Sequence, residues 1–74
     1  MIPEFKTHNE AIAYTREHPE CLSELMERYE KNKVFAIGQM KLGNIKEAMR
    51  LMSLCDADRN GIIYANEKHP MEKQ

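Results

Sequence analysis

Seventy-four residues allow a single domain, and a chain of this size buries only about 60 % of its unfolded surface. Eleven basic against twelve acidic residues leave a formal net charge of −1, which gives no electrostatic case for nucleic acid or an anionic membrane. No apolar run approaches the ~20 residues that cross a bilayer, and Met1 to Lys6 lack the apolar core of a secretory signal.

Thr7 followed by Glu10 is a capping box, with the threonine oxygen accepting from the Glu10 amide while the glutamate reaches back. It predicts a helix from about His8 to Glu17 with Ala11, Ile12 and Tyr14 turned inward. Pro19 forces His18 out of helical geometry and suits the first position of a second helix, over about 19–31. There Cys21, Leu22, Leu25, Met26 and Tyr29 form one apolar stripe. Glu24, Glu27, Arg28 and Glu30 are assigned to the opposite, solvated side.

Asn32 is expected to end that helix. Residues 33–42 read as a separate short helix closing at Gly43 and weakened by Gly38, which costs up to ~1 kcal/mol relative to alanine. Asn44 with Glu47 opens a further helix, in which Ile45, Ala48, Met49, Leu51, Met52 and Cys55 recur at helical spacing. Cys21 and Cys55 both fall on apolar faces and read as buried thiols of a reducing, cytoplasmic compartment.

Residues 56–67 put oxygen-bearing side chains at positions 1, 3, 5 and 12 of a dodecapeptide and glycine at position 6. A hard divalent cation such as calcium takes that set. Asp56, Asp58 and Asn60 would bind from one side, and Glu67 would close the shell with both carboxylate oxygens. Ile62 would lend its carbonyl, and Tyr64 at position 9 would leave that vertex to water. Gly61 would permit the sharp turn.

The stretch resembles the calcium loop of the EF-hand family, matching D-x-[DN]-x-[DN]-G-x5-E through Asp56, Asp58, Asn60, Gly61 and Glu67. Ile63 stands at position 8, where the family carries an aliphatic residue that pairs with a second loop. The resemblance covers about residues 44–69. It implies Ca2+ bound at sensor-like to weak affinity, on the order of 10⁻⁶–10⁻⁴ M. The exit segment is short, because Pro70 stops it, and no second loop exists to pair with. The edge at Ile63 would be closed either by homodimerisation through two loops or by packing on the first half of the chain.

Other chemistries find less support. His18, Cys21, Cys55 and His69 lack the paired spacing of a zinc site. No nucleophile elbow, catalytic triad order or phosphate-binding glycine loop is present, so an enzyme is not expected. Residues 36–52 look only superficially like a helix-turn-helix, and a tetratricopeptide-like fragment after Gly43 has no repeat. Met26, Met49 and Met52 read as core, although methionine also coats adaptable grooves.

The expected fold is therefore all-α. It is a single domain of three to four short helices (residues 1–43 helical, 44–69 an EF-hand-like unit with a truncated exit helix, 70–74 a tail). The expected function is a small calcium-binding protein that binds a protein partner through its helical surface, with the ion ordering the loop. The alternative is a metal-independent helical interaction module, an adaptor or small inhibitor, in which the loop is structural. Neither nucleic acid nor membrane is expected as a partner.

Overall fold

The computed structural model describes residues 2–65 and residue 67. The chain is all-α: α1 (His8–Glu17), a 3-10 turn (Pro19–Cys21), α2 (Leu22–Lys41) and α3 (Ile45–Tyr64). Among the described residues there is no strand, and no helix is long and apolar enough to cross a membrane. The expected exit turn falls outside the described residues apart from Ala65 and Glu67, and so do the stop at Pro70 and the tail 70–74.

The first helix begins where its cap predicts. Thr7 is extended, and its hydroxyl accepts from the Glu10 amide at 3.1 Å. The Glu10 carboxylate reaches back one residue further than a capping box requires, to the Lys6 amide at 3.0 Å. After His18 the chain turns through Pro19, and Leu22 enters α2.

Two boundaries differ from expectation. α2 does not stop at Asn32 but continues through Gly38 to Lys41, a run of 20 residues. Leu25 and Ala36 are buried on either side of Asn32, and packing against α3 on both sides outweighs the cost of one glycine. The helix ends instead in a glycine cap. Gly43 has φ +85°, its amide donates to the Met40 carbonyl, and the Asn44 amide donates to Gln39; the last carbonyls of α2 are satisfied in this way.

α3 likewise does not end at Cys55; it runs on through Tyr64. Ala48, Leu51, Cys55 and Asp58 are buried, and Ile62 and Ala65 continue the same three-then-four spacing. One continuous side of the helix is therefore committed to its neighbours, and a turn at 56–61 would break it. Two 20-residue helices span about 30 Å each and form an antiparallel hairpin. α1 lies against the far half of α3.

The core joins the helices to residues 2–5. Ile2 and Phe5 are buried in one cluster with Ala11, Cys21, Leu25 and Ala57. Gly38 has open space where a Cβ would stand, and its φ is not positive. Gly38→Ala is accordingly expected to stabilise the chain by about 0.5–1 kcal/mol through helix propensity alone. Urea denaturation followed by circular dichroism would read this as a higher midpoint at unchanged slope.

Candidate functional site

The oxygen ligands expected of residues 56–67 do not converge. Within a helix, successive side chains are about 100° apart, so positions 56 and 58 point roughly 200° apart. Asp56 is exposed, whereas Asp58 is 1 % exposed and faces α2. There the Arg28 guanidinium grips it in a two-pronged ion pair, Nε to Oδ2 at 2.9 Å and Nη2 to Oδ1 at 2.8 Å. Asn60 donates its side-chain amide to the Asp56 carbonyl at 2.8 Å, one turn back.

Gly61 has a structural role different from the sharp turn expected of it. It sits in the middle of α3 where α1 crosses, and a Cβ added there would stand 3.2 Å from both Cβ and the carbonyl oxygen of Ala11. Thr15 seals the same crossing: its hydroxyl donates to the Ala11 carbonyl at 2.8 Å and lies 3.2 Å from the Gly61 carbonyl. Ile62 packs against the core cluster. The backbone carbonyls of Tyr64, Ala65 and Glu67 accept from Arg16 at 3.3, 3.3 and 2.9 Å. A cation thus caps the end of α3, where its dipole favours one.

The expected ligand set, Asp56, Asp58, Asn60, Ile62, Tyr64 and Glu67, does not fit a calcium cage in this arrangement. One carboxylate, Asp58, is already neutralised by an arginine; Asp56 points to the opposite side of the helix, and Glu67 lies beyond its end. Among the described residues no group of three or more His, Cys, Asp or Glu side chains is placed to hold a metal. His18, expected at a cap or on the surface, is exposed, stacks at 4.6 Å on Tyr14 and has its Nδ1 4.0 Å from Glu20.

Arg28 is the residue whose role the sequence pattern missed. Assigned to the solvated side, its side chain is only 21 % exposed. Besides Asp58 it donates from Nη1 to the carbonyls of Ile2 and Pro3, each at 2.9 Å, and its Cζ lies 5.2 Å from the centroid of the Phe5 ring. The signal was its place three residues after Leu25, on the buried flank of the stripe. Both cysteines are free. Burial, with nearby carboxylates, pushes both thiols up from the ordinary cysteine range, which leaves less thiolate for nucleophilic chemistry.

The feature that stands apart is the side of the hairpin turned away from α1. Along α2, Met26, Ile37 and Met40 are 50, 50 and 42 % exposed. Along α3, Ile45, Met49, Met52 and Ile63 are 47, 60, 49 and 36 % exposed. These α3 residues, with Asp56 and Arg59, follow three-then-four spacing and so share one stripe. The seam between the two stripes opens into a hollow of about 550 Å3 floored by Ala36 and Cys55 and walled by Ile37, Met40 and Met52. A smaller hollow of about 240 Å3 lies beyond Tyr29, between Met26 and Ile63.

No family model, curated protein or solved structure matches the chain.

Charge interrupts the α3 stripe at Asp56 and Arg59, between Met52 and Ile63, and otherwise borders the hollows. Lys33 and Lys41 border the large hollow from α2, and Asp56 borders it from α3. Lys33 also lies over the Tyr29 ring at 5.8 Å. Met26, Met49 and Met52, all three expected in the core, belong to this open face instead. Val34, Phe35 and Leu42 are exposed too, around the free end of the hairpin.

Proposed function

We propose that this chain is a metal-independent helical interaction module that docks a protein through the apolar face of α2 and α3. The supporting observation is a field of seven large apolar side chains left open along one side of the hairpin. The exposed fractions of the seven residues amount to roughly 600–700 Å2, taking about 200 Å2 for a whole large side chain. The largest apolar patch on a typical monomer is about 300–600 Å2. Methionines supply four of the seven, and their unbranched, polarizable chains adapt to a partner's contour. The hollow is apolar within and charged only at its edge, which matches the core and rim of protein interfaces.

The Arg28–Asp58 pair favours this reading over the calcium-dependent one. Binding an ion through Asp58 requires breaking a buried, two-pronged charge pair and unwinding the last turns of α3. Dilute protein is therefore expected to enhance the fluorescence of an apolar reporter dye equally in calcium and in chelator. The melting temperature is expected to be the same in both. Met52→Glu should lower the dye signal while leaving the helical circular dichroism intact, since an exposed position tolerates change within about 0.5 kcal/mol. A dye signal that appears only with calcium, or none in either condition, would sink the proposal.

A further inference from the structure

Resting on the docking face just described, we infer that its occupant is a second copy of this chain, paired about a two-fold axis parallel to α2 and α3. A self-pairing surface must be complementary to itself, and three features of this face meet that demand.

The first is shape. The face is two helices wide and carries apolar side chains at both of its ends, Met26 and Ile63 at one and Ile37, Met40, Ile45, Met49 and Met52 at the other, with Lys33, Asp56 and Arg59 between them. A single added helix would cover the seam but leave the outer stripe of α3 in water. A second hairpin covers both stripes and completes an antiparallel four-helix core, with each copy's α1 on the outside.

The second is charge. The two-fold axis lays α2 of each copy on α3 of the other with every residue kept at its own height along the axis. Lys33 and Asp56 border the same hollow; the Lys33 ammonium lies over the Tyr29 ring, and Cys55, next to Asp56, has its thiol against the Tyr29 carbonyl, so the two charges stand at similar heights. Each Lys33 is brought level with the partner subunit's Asp56, twice by symmetry, at the rim where water remains. A face bordered by one sign of charge would repel its own copy; this one carries both.

The third is area. With the stems of Lys33 and Lys41 and the Tyr29 ring added, each copy offers close to the ~800 Å2 that one partner contributes to a stable interface.

Sedimentation velocity over a dilution series, with the reporter dye read on the same samples, tests this. The expected mass rises from 8.7 kDa towards twice that value with concentration, while the dye signal per chain falls as the faces close on each other. Ile37→Glu and Met52→Glu, each burying a charge at the centre, should weaken association by roughly thirtyfold or more. Lys33→Glu should weaken it less, and Lys33→Glu combined with Asp56→Lys should restore it. A chain of 8.7 kDa at every concentration that still binds the dye overturns self-pairing while the docking reading stands; the face then belongs to another protein. A monomer that binds no dye overturns both. A dimer indifferent to Ile37→Glu and Met52→Glu, or one weakened further by the double charge exchange, overturns the pairing inferred here.

Discussion

Arg28→Met is expected to cost about 3–5 kcal/mol of folding free energy, because it leaves the Asp58 carboxylate buried without its counter-charge. For 74 residues the total stability is on the order of 4–11 kcal/mol, so this one change brings the chain close to unfolding. The loss exceeds that of the exposed pair between Glu47 and Arg50, where water already screens both charges. The Arg50 hydrogen bond holds the Glu47 carboxyl below its ordinary range, but neither group is buried and removing it should barely move the midpoint. Arg28→Met with Asp58→Leu should recover most of the deficit, since apolar replacement of a buried pair is often neutral or better. Equilibrium denaturation of the two variants and the native chain checks both statements. An Arg28→Met variant as stable as the parent would mean that Asp58 is not held as described.

Gly61→Val is expected to lose about 1–3 kcal/mol through overpacking at the α1–α3 crossing. The new Cβ alone would stand 3.2 Å from Ala11 Cβ and from the Ala11 carbonyl, and the added methyls have nowhere to go without parting the helices. Gly61→Ala sets a helix-propensity gain of up to ~1 kcal/mol against the same close contact, so its net effect is the smaller. Combining Gly61→Val with Ala11→Gly should recover only part of the loss, because the carbonyl remains. Thermal melts resolve this series, and a valine variant with an unchanged melting temperature would remove Gly61 from the crossing. The equivalent change at Gly38, where space is open, carries the opposite sign.

Much of the helical content was legible. Thr7 and Glu10 set the start of α1, and Pro19 follows its end and opens the 3-10 turn that leads into α2 three residues later than expected; chemistry that acts within one turn survives folding. The all-α class also followed from periodicity. What misled was the run Asp56-Ala-Asp-Arg-Asn-Gly61. Taken by itself it has the residues of a metal loop, and Asp, Asn and Gly all disfavour helix. Tertiary contacts override that preference here. The clue lay outside the motif: Ala48, Leu51, Cys55, Asp58, Ile62 and Ala65 keep three-then-four spacing straight through it. A lone aspartate on such a seam calls for a buried cation, and Arg28 sits beside Leu25 on the other helix. The pattern gave each residue a side but not a partner 30 positions away. For the same reason Met49 and Met52 looked like core. Periodicity marks an apolar stripe without saying whether the chain itself covers it.

Chain ends ordinarily loosen at almost no free-energy cost. The segment before α1 is held differently. Lifting residues 2–5 away would expose Ile2 and Phe5 to water, strip the guanidinium of two carbonyl acceptors and admit solvent to the charge pair behind them. Its release thus belongs to the same cooperative event as separation of the helices. This amino-terminal strap melts with the bundle rather than fraying ahead of it.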